Sequence, residues 1–159
     1  PGPEFGRLQR GETIRGVRPE QVLGPARAGR KVVISGDTSP SETLQVASDA
    51  ADLLVHEATF AEEERERAAE TGHSTAAQAA ALARDARVTM LALTHFSTRY
   101  PTGLLRDEAR AIFPRTVLPR DFDSIDIPFP ERGEPELIRW EERQAGEAEE
   151  SQAMADRAG

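Results

Sequence analysis

The chain holds 159 residues, 38% of them hydrophobic and 30% charged, which is enough for one core of ordinary size and too little for two. Its 20 Lys and Arg against 28 Asp and Glu leave a net charge of −8, so it does not grip nucleic acid through bulk positive charge, and any RNA contact must use a local patch. Cysteine is absent, which excludes disulfides, thiolate zinc sites and a cysteine nucleophile and leaves His, Asp and Glu as the available metal ligands.

No uninterrupted apolar stretch approaches the ~20 residues that span a bilayer, and Pro1-Gly2-Pro3-Glu4 is no signal peptide. A soluble, cytoplasmic chain without membrane partners is expected. Because it begins with proline inside a loop-like segment, we also expect residues before Pro1, which makes the chain a C-terminal fragment.

Charge divides the chain into three zones. Residues 1–30 carry six Arg and three Glu, residues 31–130 carry 10 basic and 16 acidic groups, and residues 131–159 carry four and nine. The first zone is broken by Gly2, Gly6, Gly11, Gly16, Gly24 and Gly29 and by Pro1, Pro3, Pro19 and Pro25, so it reads as a mildly basic arm and connector.

The middle zone alternates strand and helix. Lys31 to Ser35 predicts a short buried strand ended by Gly36. Ser39-Pro40-Ser41-Glu42 supplies a cap, a proline at the first helical position and a glutamate three residues after the cap, for a helix to about Ala50. Asp52 to His56 predicts a second strand and Glu62 to Glu70 a charged, exposed helix. Ser74 or Thr75 caps an alanine-rich helix to about Ala86, followed by a third strand over Val88 to Leu93. Leu104 to Phe113 is helical, and Thr116 to Leu118 and Ser124 to Ile127 are strands. Such alternation requires crossover connections and a largely parallel sheet, an α/β layer. Beyond Glu131, Leu137 to Trp140 can add a strand, and Glu141 to Gly159 reads as a frayed helix or flexible acidic extension.

Ligands of open α/β sheets bind beyond the carboxyl ends of the strands. Those ends read Ser35-Gly36-Asp37-Thr38, His56-Glu57-Ala58-Thr59 and Thr94-His95-Phe96-Ser97, so two of the three histidines stand on one edge. Asp37 alone reads equally well as a turn cap, but paired with His95 it offers a carboxylate and an imidazole, both zinc ligands, and a carboxylate can bridge two ions. His56 follows the apolar run Leu53-Leu54-Val55 and reads as structural, orienting a neighbouring loop, while Glu57 reads as the partner of another polar residue. His73, between Gly72 and a helix start, suits phosphate contact or proton donation. Two ligands cannot hold a catalytic zinc, which needs at least three protein groups, so the site is half of one.

In that order, Ser35-Gly36-Asp37-Thr38, His56-Glu57-Ala58-Thr59, Gly72-His73-Ser74-Thr75 and Leu93 to Tyr100 resemble ribonuclease Z, the tRNA 3′-processing endoribonucleases of the metallo-β-lactamase superfamily. Pro1 to Leu8 is similar to the glycine-proline segment of that family's tRNA-clasping arm. The resemblance implies the C-terminal half of a metallo-β-lactamase-type αβ/βα sandwich, with residues 1–30 a remnant of the tRNA-binding arm, 31–130 the half-domain and 131–159 an acidic extension outside the pattern. It implies two Zn2+ per complete subunit, other divalent metals being possible, with Asp37 bridging them, His95 ligating one, His73 catalytic at the scissile phosphate, and His56 and Glu57 supporting the site. It further implies precursor tRNA as partner, held by Arg7, Arg10 and Arg15, and a homodimer of the full-length protein. The family's His-x-His-x-Asp-His motif is absent here, so inactivity of the isolated chain is expected. The alternatives are another hydrolase of the same fold or a non-catalytic module that retains it.

Overall fold

The computed structural model describes residues 2–24 and 29–158; Pro1 and Pro25, two of the breakers counted above, lie outside them. The leading zone forms two short helices, α1 (Pro3–Gln9) and α2 (Pro19–Val22), each opened by a proline where its missing N–H costs nothing. Neither contributes a buried residue.

The following elements alternate as the sequence requires: β1 (Val32–Ile34), α3 (Glu42–Ser48), β2 (Leu53–Glu57), a 3₁₀ turn (Glu62–Glu64), α4 (Arg65–Thr71), α5 (Ala76–Asp85), β3 (Met90–Thr94), α6 (Thr102–Ile112) and β4 (Thr116–Val117). The four strands form one parallel sheet in the order β1-β2-β3-β4. Its register sets Ile34 opposite Val55, and Val55 opposite Ala92. Consecutive strands are therefore neighbours, and all four carboxyl ends meet on one edge.

One face of this sheet is covered by helices. Leu54, Leu91 and Leu93 pack with Ala76, Ala79, Ala80 and Ala83 of α5 and with Leu105 and Ala109 of α6, all of them fully buried. The small side chains of α5 bring its backbone close to the sheet, and each buried leucine contributes about 1.5–3 kcal/mol of hydrophobic stabilisation. On the opposite face, Leu53, Met90 and Ala92 meet Ile125 and Ile127. Ile125 lies in β5 (Ser124–Asp126), which pairs antiparallel with β6 (Glu136–Ile138) after a 3₁₀ turn (Pro130–Arg132); α7 (Trp140–Ala158) follows. No helix among the described residues is long and apolar enough to cross a membrane.

Two local expectations are corrected. β1 is not a buried strand: Val32 is 46% and Ile34 72% exposed, because β1 is the sheet's edge and has one neighbour. The cap of α3 is Ser41, whose Oγ accepts from Leu44 N at 3.4 Å, so Ser39 and Pro40 precede the helix and Glu42 opens it.

Candidate metal and phosphate site

Three devices bring the site residues to the sheet edge. Gly36 turns the chain after β1 at φ 63°, a conformation glycine adopts freely, and Asp37 follows it. His95 turns the chain after β3 at φ 55°. Gly72 closes α4 at φ 77°, which delivers His73 to the loop before α5. That loop is pinned from both sides: Ser74 Oγ donates to Thr38 O at 2.6 Å, and Ala76 N donates to Phe60 O at 3.0 Å. Thr75 then caps α5 by accepting from Gln78 N at 3.1 Å, while Gln78 returns a bond to Thr75 N.

Glu57, 2% exposed, sits beneath these loops and organises them. Its Oε1 accepts from Thr38 N at 3.0 Å and from His73 Nδ1 at 2.8 Å; its Oε2 accepts from Thr59 N at 3.0 Å and from Thr59 Oγ1 at 2.7 Å. Burial pushes its pKa up, but the bonds from Thr59, Thr38 and His73 outweigh this and hold the carboxyl below its usual range.

The same network decides where the histidine protons lie. His73 Nδ1 carries the hydrogen it gives to Glu57. Thr59 spends its one hydroxyl hydrogen on Glu57, so its contact with His95 Nδ1 at 2.9 Å is an acceptance, and His95 is protonated there as well. With Nδ1 committed to these bonds, Nε2 is the nitrogen each ring has left for a metal or a phosphate, the arrangement by which hydrogen-bonded partners orient metal-ligating imidazoles. The rings stack with centroids 5.4 Å apart at 27°, and Asp37 Oδ1 lies 3.5 Å from His95 Nδ1.

One potential ligand atom from each of Asp37, His73 and His95 can be chosen so that all lie within 4.8 Å of one another. Two imidazoles and a carboxylate are a donor set that zinc accepts, so these residues fit a metal. With His73 included the chain offers three donors, one more than the sequence argument counted.

His56 stands apart from this group. Its ring is 1% exposed, Nδ1 donates to the carbonyl of Glu57 at 2.7 Å, and Nε2 is buried without a partner. Burial lowers its pKa, against the opposing pull of Glu57. Its bond therefore holds the end of its own strand and does not reach a neighbouring loop. In the arm, Arg7 pairs with Glu12 at 2.7 Å, Arg10 with Glu12 at 3.6 Å and Arg15 with Glu4 at 2.9 Å. Sequence reasoning passed over Thr59, although its position two residues after Glu57 is the spacing of a side chain that reaches back to a strand end.

The chain is 49% identical over 141 residues to the ribonuclease Z of Haloarcula marismortui, covering 84% of this chain and 45% of that protein. The ribonuclease Z of Archaeoglobus fulgidus is 46% identical over 138 residues, covering 82% and 45%, and that of Myxococcus xanthus 56% over 106 residues, covering 64% and 34%. The chain's sequence is of the ribonuclease Z family. No protein-family model matches it. Among solved structures, human tRNase Z, short form, superposes with a TM-score of 0.51 at 38% identity, covering 63% of this chain and 34% of that one. The metallo-β-lactamase fold protein YhfI from Bacillus subtilis gives a TM-score of 0.53 at 29% identity, covering 57% and 36%. The fold is therefore that of the metallo-β-lactamases, and the chain spans less than half the length of the ribonuclease Z relatives it matches.

Proposed function

We propose that the protein carrying this chain is a zinc-dependent endoribonuclease that removes 3′ trailers from precursor tRNA in the cytoplasm by hydrolysing a phosphodiester bond. The observation that carries this reading is the convergence of Asp37, His73 and His95 around the Glu57 carboxylate on one sheet edge, in a chain with ribonuclease Z relatives. Asp37 would hold metal through both carboxylate oxygens, bridging two ions, and His95 would hold one of them through Nε2. Such ions supply Lewis acidity that draws charge from the phosphate oxygens. Glu57 fixes the His73 ring through Nδ1, so that Nε2 can carry a proton to the leaving 3′ oxygen. The product would be a tRNA with a free 3′-hydroxyl and a trailer with a 5′-phosphate.

A second role for His73, as the third ligand, is favoured by its place in the same 4.8 Å group. Zinc titration separates the two: a phosphate-side His73 leaves zinc affinity unchanged in His73→Gln, whereas a ligand lowers it at least tenfold.

In this reading residues 1–30 contribute a tRNA-contacting arm, residues 31–130 part of the metal domain and residues 131–159 an accessory extension, and the full-length protein is a homodimer. Arg7, Arg10 and Arg15 would exchange their glutamate partners for tRNA phosphates, so replacing them with serine flattens the salt dependence of tRNA binding by about one log–log unit per lost contact. The isolated 159-residue chain should cleave no precursor tRNA. The test is single-turnover cleavage and metal content in the full-length protein. Asp37→Ala is expected to lower turnover far more than His56→Ala; equal losses with zinc retained in both would refute the assignment.

A further inference from the structure

A second concave surface lies on the same sheet edge, one strand beyond His95. It is a cavity of about 540 Å³ lined by Arg106 and Arg110 of α6, by Arg120 from the segment after β4, and by Arg139, with Asp121 the acidic residue among its walls. In a chain of net charge −8 this local balance stands out. Two of the guanidiniums are compensated: Arg106 pairs with Asp107 at 2.9 Å, and Arg139 with Asp123 at 2.7 Å. Arg110 gives Nε to the carbonyl of Thr116 at 2.9 Å, which anchors the group without cancelling its charge. Arg120 bonds Asp123 through its backbone, and among the described residues its guanidinium has no carboxylate within ion-pair reach. Four guanidiniums against the carboxylates of Asp107, Asp121 and Asp123 leave one positive charge in excess around the hollow.

A strained aromatic residue follows Asp121, one of the residues that line the hollow. Arg120 to Asp123 form a turn closed by Asp123 N donating to Arg120 O at 3.1 Å, and its third residue, Phe122, has φ 70°, a place that glycine ordinarily fills. The left-handed conformation is strained in a residue with a side chain. Packing does not recover this, because Phe122 is 72% exposed. Its ring meets Trp140 with centroids 5.5 Å apart at 47°, and Arg143 covers Trp140 at 4.7 Å. Trp140 follows Arg139 in the chain as Phe122 follows Asp121, so each ring is borne by the residue next to one that lines the cavity.

We propose that this surface binds single-stranded RNA, with phosphates between Arg110 and Arg120 and a base stacked on Phe122. Stacking faces beside a positive groove are the means by which proteins hold single strands irrespective of sequence. A free phosphate ion would use the arginines and leave the aromatic pair without a role. The carboxylates of Glu141 and Glu142 open α7 beside Trp140 and oppose the phosphates, which keeps the binding weak. The inference rests on the reading of the protein as one that acts on RNA.

The test uses a fluorescein-labelled octauridylate and the full-length protein with metal removed, so that no strand is cut. Arg120→Gln removes a side chain that has no ion pair among the described residues, and Phe122→Gly relieves the backbone strain, so neither variant threatens the fold. Arg120→Gln is expected to weaken binding about fivefold and to reduce the slope of log affinity against log salt by about 0.7. Phe122→Gly is expected to weaken it about tenfold with the slope unchanged. Arg84→Gln, on the surface of α5 and paired with Asp85, should leave both quantities as they are. Unchanged affinity and slope in Arg120→Gln would overturn the proposal. So would uridine monophosphate binding as tightly as the octamer, or an acidic peptide displacing it with the same dependence on Arg120. Precursor-tRNA cleavage by the wild type, measured in parallel, separates the two readings: cleavage with no effect of either variant on strand binding refutes this surface alone, whereas strand binding lost in both variants without any cleavage supports the surface and refutes the nuclease.

Discussion

Replacing Glu57 with glutamine exchanges one oxygen for an NH2 group and measures how much the carboxylate beneath the site is worth. Each of its oxygens accepts two bonds, Oε1 from Thr38 N and His73 Nδ1, Oε2 from Thr59 N and Thr59 Oγ1. An amide can accept only on one side. The Thr59 hydroxyl can rotate, and His73 can change tautomer, but a backbone N–H can do neither, so whichever way the amide turns, either Thr38 N or Thr59 N faces an NH2 group. One part-buried donor is then orphaned and the bonds that remain lose their charge. A bond to a charged group contributes about 1.5–3 kcal/mol, and a buried unpaired donor costs about 1–3 kcal/mol; these figures overlap, since part of the lost bond is the orphan's penalty. A net loss of about 2–3 kcal/mol follows. Urea denaturation at pH 7, comparing midpoints at equal slope, reads this directly. A variant within about 0.5 kcal/mol of the wild type would refute the reasoning, because Glu57 would then be a bystander in its own network.

Three further outcomes are expected. The Asp123 carboxyl is held at about 2 by the N–H groups of Arg120 and Trp140 and by Arg139, so the stability it gives the β5–β6 hairpin is fully present above about 3.8 and is lost as pH falls towards 2; fluorescence of Trp140, the single tryptophan, should change over that range, and Asp123→Asn should show the altered signal already at pH 7. Thr75→Ala removes both the cap of α5 and the bond from Thr75 Oγ1 to Glu62 at 2.7 Å, and should lower unfolding free energy by about 1–2 kcal/mol in urea. Leu54→Ala, at a fully buried position in β2, should cost about 2–5 kcal/mol, whereas Ile34→Thr on the exposed edge strand should stay within about 0.5 kcal/mol, and a large loss there would show that something covers β1.

The alternation of strand and helix was legible because each strand is a compact apolar run and each helix begins with a recognisable cap, Thr75 above all. The exposure of β1 was not legible, because Val32-Val33-Ile34 looks the same whether the strand lies at the centre or at the edge, and only the sheet order distinguishes them. The cap of α3 was misplaced by two residues because Ser39-Pro40-Ser41 offers two serines around one proline. At the site, Asp37, His73 and His95 could be read from their places at strand and helix ends. Glu57 could be read as the partner of another polar residue but not as the centre of a network, since two of its four bonds depend on how the loops after β1 and α4 fold back over it. The arginine cavity was less visible still: its walls come from residues 106 to 139, and nothing in their spacing announces that they meet.

His95 turns the end of β3 in a left-handed conformation at φ 55°, where an ordinary residue gives up about 1–2 kcal/mol and glycine gives up almost nothing. A glycine there should therefore yield a more stable chain that has discarded an imidazole. Any breeding of this protein for heat resistance alone would find that substitution early and would be rewarded for making it. On the role proposed for His95, position 95 is thus a place where hardiness and usefulness select opposite residues, and a histidine persisting there across a heat-selected library would report that activity, not folding, was under selection.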